Sequence, residues 1–536
     1  MSRSTMSASR QARCLIAVAL FVALAWPETS RAAVTLETNI DSTLTLALQK
    51  IQGVPLTLEE ATNAALQQST TVRDADAALR AARGSLRRER GAFDPEIFAA
   101  SVRSGVDQPT ASPFAGAAVL QTDRTDTEAG GRVRLPAGTE LSASLVTTKQ
   151  ETNSAYSALE PQYNTLGRLD LRQPLLKGFG PGSWGERSAA TREYEAAQAR
   201  YDDAVLEIRS QVERTYWDLY AAERDLGVQQ IIRERAAALV QETELRAKTG
   251  LVGPGDVASA KVFLAEQEQS LIDREEGLDS VSDQIASLIG RRPQGEAPRY
   301  RPLDSPPRDF ALEPQDSLVA RAMRQSLEVK SAERDLAAAR AREQSAKWNM
   351  LPSLDVVGSV GGLGLSGTGR DVVFGSDTLH TNVNGDFSDT WTQVTKRDYP
   401  TWSAGLSLSI PIGFRAGSGE HDRLRGEADR AEQRLIAVRR SLDERVRSGH
   451  RDLLNAKRRL DAAQSGVDAS LTRARIGLLE YRNGRTTAFE VVQLGADLAS
   501  AQQRYSQALV RTAKAAAELR RLTAEGMPPL PPGNHQ

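Results

Sequence analysis

Two glycine-rich runs have the spacing of a dinucleotide-binding loop. Gly180-Pro181-Gly182-Ser183-Trp184-Gly185 lies between an alternating segment and a long helical one, and Gly362-Leu363-Gly364-Leu365-Ser366-Gly367 follows another alternating segment. Such a loop cradles a pyrophosphate at a helix N-terminus and needs a second, parallel strand to complete a βαβ unit. Neither run has that setting. Roughly sixty helical residues follow the first with no parallel strand after them, and Pro181 withholds an amide from the loop. No helix follows the second run, which reads as a loop or strand edge. His380, His421, His450 and His535 are scattered with no pair at metal-ligand spacing, and Cys14 is the one cysteine. No catalytic residue, nucleophile motif, metal site or cofactor is expected. What remains is a pair of acids, Asp256 and Glu490, each six residues behind a glycine, Gly250 or Gly484. A glycine there can take the positive φ that ends a helix, and an acid at the next helix start meets its positive dipole end.

The two acids sit in a duplicated frame. Tyr194, Ala197, Tyr201, Ala204, Ile208, Val212, Thr215, Leu219, Ala222 and Leu226 form a helical stripe, and adding 234 gives Ala428, Ala431, Leu435, Val438, Leu442, Val446, Gly449, Leu453, Ala456 and Leu460. Both stripes carry the same heptad interruption. The offset also pairs Gly250 with Gly484, Asp256 with Glu490 and Val257 with Val491. An earlier segment recurs at 257: Ser69, Val72, Ala75, Leu79, Ala82 and Pro95 map onto Ser326, Val329, Ala332, Leu336, Ala339 and Pro352. The segment between is therefore 23 residues shorter in the second copy.

That intervening segment alternates. Trp402, Ala404, Leu406, Leu408, Ile410 and Ile412 face one way, with Ser403, Gly405, Ser407 and Ser409 opposite. Weaker alternation covers 97–106, 140–147, 167–176 and 354–360, whereas 107–130 and 361–398 read as long loops. Leu135-Pro136-Ala137-Gly138-Thr139 has the composition of a tight turn. The chain thus divides into a signal peptide (1–32), a flexible segment (33–55), repeat 1 (56–290), a Pro-rich linker (291–315), repeat 2 (316–524) and a disordered tail (525–536). Repeat 1 holds a helix at 57–92, a strand region at 94–176, a long helix at 188–248, a tip at 249–255 and a helix at 256–290. Repeat 2 holds a helix at 316–349, a strand region at 352–412, a long helix at 420–482, a tip at 483–489 and a helix at 490–523. Each long helix spans roughly 90 Å, and two shorter helices stacked end to end match it. Strands then gather at one pole of a rod and glycine tips at the other.

Composition fits an elongated exported chain. The net charge of −1 gives no support for a nucleic-acid partner, and 40% apolar residues with 5% aromatics, at mean hydropathy −0.41, argue against one large core. Arg3, Arg10 and Arg13 precede the apolar run from Cys14 to Trp26, and Ser30-Arg31-Ala32 suits a signal peptidase. No later apolar window is long enough for a membrane helix, so a membrane location requires a closed barrel. The apolar face at Trp402, Leu406, Leu408 and Ile410 suits lipid, and Trp348, Tyr399 and Trp402 lie near strand ends where interfacial aromatics collect. Two strand pairs cannot close such a barrel, so several chains must contribute.

The sequence resembles the TolC-type outer-membrane efflux proteins over nearly all of the exported chain. Thr249-Gly250-Leu251-Val252-Gly253-Pro254-Gly255-Asp256-Val257 is similar to that family's Gly-Leu-Val turn, and Tyr481-Arg482-Asn483-Gly484 with Glu490-Val491-Val492 is similar to its second turn. Gln173-Pro174-Leu175-Leu176-Lys177-Gly178-Phe179-Gly180 is similar to a strand exit of one branch. The resemblance implies an α+β membrane protein: a homotrimer whose outer-membrane β-barrel continues into a long periplasmic α-helical, coiled-coil barrel, with two internal repeats per chain. It implies a passive exit channel for a tripartite efflux or type I secretion system. Its partners would be outer-membrane lipid, a periplasmic adaptor (membrane fusion protein) and an inner-membrane pump of RND or ABC type. Adaptor docking falls on Gly250, Leu251, Val252, Asp256, Val257, Gly484 and Val491, and a constriction on Tyr481, Arg485, Glu490 and Gln493. Two positions depart from the family pattern. Gln493 stands where a second acid is expected, and Thr486 where a gate arginine is expected, with Arg485 one place earlier. The alternative is a periplasmic coiled-coil adaptor or envelope scaffold, although adaptors normally carry one hairpin rather than two.

Overall fold

The computed structural model describes residues 40–111, 115–293, 299–483 and 485–524. The expected signal peptide (1–32), residues 33–39, Gly484 and the tail from 525 lie outside the described residues. In chain order the elements are α1 (Ile40–Lys50), β1 (Val54–Leu56), α2 (Leu58–Gln68), α3 (Thr70–Gly91), β2 (Glu96–Pro109), β3 (Val119–Arg134), β4 (Glu140–Thr152), β5 (Leu159–Pro174), α4 (Pro181–Lys248) and α5 (Pro254–Ile289). The second half continues with β6 (Tyr300–Pro302), α6 (Gln315–Gln325), α7 (Leu327–Asn349), β7 (Ser353–Gly369), β8 (Val372–Phe374), β9 (Asp377–Leu379), α8 (Phe387–Lys396), β10 (Tyr399–Ser409), α9 (Arg415–Arg482) and α10 (Ala488–Leu522).

α4 and α9 each have 68 residues, about 100 Å of helix. They begin earlier than the apolar period shows, because Pro181 and Arg415 open a first turn outside the stripe. The shorter helices stack as expected: α3, α4, α7 and α9 pack side by side nearest the strands, and α5, α4, α10 and α9 do so toward the tips. Both repeated stripes are inside, with Ile208, Val212, Leu219, Leu226, Leu442, Val446, Leu453 and Leu460 buried. Ion pairs such as Lys514–Asp218 (2.7 Å) and Arg520–Glu213 (2.6 Å) join α4 to α10. Exposed pairs of this kind contribute about 0–1 kcal/mol each, so the apolar stripes hold the columns together.

Two expected helices are broken. Residues 57–92 divide at Ser69 (φ −58°, ψ 126°), and 316–349 divide at Ser326 (φ −55°, ψ 126°), the serines paired by the 257-residue offset. An extended ψ at one residue stops the i to i−4 ladder, and Ser326 Oγ accepts from the Val329 amide (3.4 Å) to start the next helix. Below these breaks, the described parts of the expected flexible segment (40–55) and of the linker (299–315) are structured together. α1 packs on α4, where Gly227 leaves room for Leu44 and Leu48, and β1 pairs in parallel with β6. Tyr216 ties this belt: its buried hydroxyl donates to the Leu56 carbonyl (2.9 Å) and accepts from the Leu303 and Asp304 amides (3.0 Å each). Burial pushes its phenol up to about 12.

The six-stranded antiparallel sheet has the order β10-β7-β5-β4-β3-β2. Repeat 1 supplies four strands and repeat 2 two. β3 occupies much of the expected loop at 107–130, because Thr, Asp and Arg on both its faces hide the alternation. The loop expected at 361–398 is filled by the upper part of β7 and by β8, β9 and α8. Gly362 and Gly364 lie within β7, not at a strand edge: a Cβ on Gly364 would stand 2.3 Å from the Thr390 carbonyl of α8, and one on Gly167 in β5 2.5 Å from Val394 Cγ1. The glycines seat α8 against the sheet. In the first run, Gly180 takes φ +51° before Pro181 opens α4, and a Cβ on Gly185 would meet Ser345 of α7 at 2.3 Å, so these glycines serve a helix crossing.

Tyr216→Phe should destabilise the protein by about 1–3 kcal/mol, since the Leu303 and Asp304 amides lose their acceptor and the Leu56 carbonyl its donor. Because the folded phenol titrates above its free value, native stability should fall as pH rises from about 10 to 12, and the Phe variant should lose that alkaline slope. Denaturant titration at pH 8 and at pH 11 checks both.

Candidate functional site

At the first tip α4 ends through Gly250 at φ +75°, with its amide bonded to the Ala247 carbonyl (3.1 Å) and the Leu251 amide to Arg246 (2.9 Å). α5 restarts at Gly253 and Pro254, and the Asp256 carboxylate accepts from the Gly253 amide (3.1 Å). The second tip follows the same plan. The Arg485 amide bonds back to Glu480 (2.8 Å), Thr487 Oγ1 accepts from the Glu490 amide (3.2 Å), and the Thr486 hydroxyl donates to the Glu490 carboxylate. Asp256 therefore caps α5, whereas at the second tip Thr487 does the capping and the Glu490 carboxylate is held by Thr486. Thr487 is the residue that the sequence alone did not single out, although a threonine three places before a glutamate is a legible capping signal.

The tips lie together. A groove of about 530 Å³ is lined by Leu239, Arg246, Val252, Asp256 and Phe263 from the first hairpin and by Thr487 and Gln493 from α10. Val252, Asp256 and Gln493 thus meet in one place. Leu251 is 75% exposed beside the groove, Val257 and Val491 are half-buried, and Glu490 points to solvent outside it. Tyr481 is half-buried and Arg485 exposed, and neither lines the groove. Gly484 lies outside the described residues.

At the other pole the sheet has two unlike faces. Cross-strand partners place Trp402, Ala404, Leu406 and Leu408 of β10 on one side with Leu354, Val356 and Val360 of β7, Leu169 and Leu171 of β5, and Leu141 and Leu145 of β4. Ile410 follows the last residue of β10 and is exposed. The opposite face carries a ladder of charge: Arg134–Glu140 (2.6 Å), Glu140–Arg172 (3.3 Å) and Arg172–Asp355 (2.8 Å), each link joining neighbouring strands. Glu96–Arg132 (2.8 Å) and Ser359–Ser403 (2.7 Å) extend the same polar side. Tyr399 lies on the polar side rather than beside Trp402, and Trp348 packs in the last turn of α7 against Phe179 (6.0 Å). Of the three aromatics expected at an interface, Trp402 alone is on the apolar strand face. Among the described residues no group of acids, His or Cys is placed to hold a metal, and no helix is long and apolar enough to cross a membrane.

The profile of the family described as outer membrane efflux protein matches residues 132–291 and 318–525. The chain is 27% identical over 305 residues to the fusaric acid resistance protein FusA of Burkholderia cepacia. That alignment covers 54% of this chain and 49% of FusA, so the chain spans about half the length of the curated relative it matches. Among solved structures, its fold is similar to that of the outer-membrane channel OprN, with TM-score 0.59 and 20% identity over 88% of this chain and 90% of that one. It is similar as well to the open state of the Neisseria gonorrhoeae MtrE outer membrane channel, with TM-score 0.57 and 17% identity over 87% and 88% of the two chains.

A Cβ on residue 250 has open space, so any substitution there is penalised by backbone conformation alone. Gly250→Asn should be tolerated better than Gly250→Val, which should destabilise the tip by about 1–2 kcal/mol. Hydrogen exchange of the amides from Leu251 to Asp256 measures the difference.

Proposed function

Because the chain belongs to the outer membrane efflux protein family, we propose that it is the passive outer-membrane exit duct of a tripartite export system. Three copies enclose a pore: the apolar face around Trp402, Leu406, Leu408 and Ile410 meets lipid, and the charged ladder from Arg134 to Asp355 lines water. The single observation carrying this reading is that two-faced sheet standing on helical columns about 100 Å long. A polar lining with an apolar exterior is what a water-filled barrel requires, and the columns reach across a periplasm toward an inner-membrane pump. Exported solute then moves down the duct without chemistry in this chain; the pump supplies the energy.

The tips at Gly250 and Gly484 are the docking end for a periplasmic adaptor. The groove between Val252, Asp256 and Gln493 supports this, since it leaves Leu251 and neighbouring apolar surface for a partner. Three copies of Glu490 around the axis would form an anionic ring that attracts cations. The name of the Burkholderia relative, a fusaric acid resistance protein, makes a low-molecular-weight toxicant the cargo class to test first.

Purified protein in planar bilayers should form channels, and membranes stripped with carbonate should retain it as a heat-modifiable trimer; a soluble adaptor or scaffold would do neither. Glu490→Ala should raise single-channel conductance and weaken block by trivalent cations, and unchanged conductance rejects the ring. Gly250→Asp or Gly484→Asp should abolish efflux while trimers still reach the outer membrane. Retained efflux rejects docking at the tips.

A further inference from the structure

The sheet of one chain is an open strip. β2, with 14 residues, and β10, with 11, are its two edges. Among the described residues their outer backbone groups have no strand partner within the chain, and an edge of this length placed in lipid must be paired. We propose that β2 of each copy pairs with β10 of the next, so that three copies close one barrel of eighteen strands. This rests on the trimeric duct described above and specifies its wall. The internal duplication alone would give two strands per repeat and a barrel of twelve; the hairpin of β3 and β4 makes the difference.

Direction, face and stagger all permit the closure. The sheet is antiparallel throughout with an even number of strands, so β2 and β10 run in opposite senses and the alternation continues across the seam. A line of directly paired residues crosses the strip from Glu96 through Arg132, Ser142, Asp170 and Ser359 to Ser403. Ser403 is six positions short of Ser409, the end of β10 nearest the helices, whereas Glu96 starts β2 at that same level. Bringing the strand ends level at the seam therefore pairs Glu96 with Ser409 of the neighbour and sets a stagger of six residues per six strands. That is about 20 Å of rise for about 29 Å of width, a tilt of about 35°, which lies in the range that closed barrels adopt. The same register puts Ile97 opposite Leu408 and Ala99 opposite Leu406, two apolar levels shared across the seam, with Ser101 and Arg103 beyond them opposite Ala404 and Trp402. Glu96 and Ser409 fall on the polar side.

Circumference agrees. Three copies supply twelve helical columns at about 8–10 Å spacing, roughly 95–120 Å around. Eighteen strands tilted about 35° measure about 105 Å, and twelve measure about 70 Å. The larger barrel continues the helical duct without a taper, and its diameter is about half again that of the smaller one.

The test uses full-length protein with Cys14→Ser as background. Ala99→Cys combined with Leu406→Cys, oxidised in membranes, should give covalent dimers and trimers on denaturing gels. Ala99→Cys with Ala129→Cys, partners within one chain, should close without any larger band. Light scattering of the unoxidised protein in detergent reports the copy number separately. A trimer by light scattering with no interchain product from Ala99→Cys paired with Cys at 404, 406 or 408 overturns the eighteen-strand wall and leaves the duct standing. A monomer overturns both.

Discussion

The order of the helices dictates the order of the strands. α3, α4, α7 and α9 stand side by side, and the strands joined to them, β2, β5, β7 and β10, occur in that same order across the sheet. No connection crosses another, so each strand rises directly from the helix that carries it. The buried stripes on α4 and α9 fix the columns, and the columns fix which strands stand at the edges of the sheet. The arrangement of the sheet is downstream of apolar packing tens of ångströms away.

The features most regular in the sequence are the ones the fold keeps. The two stripes 234 residues apart, the glycine turn at Gly250 and the alternation of Trp402 to Leu408 all appear, as helices, a turn and a two-faced strand. The 257-residue offset even paired Ser69 with Ser326, yet the breaks themselves were not legible, because serine in a helical stripe carries no unique backbone signal. β3 was hidden for a different reason. Its Asp123, Arg124, Thr125, Asp126 and Thr127 are polar in succession, and this upper part of the strand has no hydrophobic period to display.

At the candidate site the same division holds. Asp256 and Glu490 were identifiable as acids behind glycine turns, and the bond from the Gly253 amide to Asp256 explains why an acid stands at the first tip. What no linear reading gives is the meeting of Val252 and Asp256 with Gln493 across more than two hundred residues, or the ladder that links Arg134, Glu140, Arg172 and Asp355 through three strand junctions. These depend on which hairpins become neighbours, and that is decided by the duplicated helices.

The breaks at Ser69 and Ser326 carry a mechanical corollary. α3 and α7 have 22 and 23 residues, so both interruptions fall at nearly one distance from the sheet. At that latitude the shorter columns are discontinuous and α4 and α9 alone run through. Torque applied at the tips therefore has two unbroken shafts per chain along which to reach the sheet.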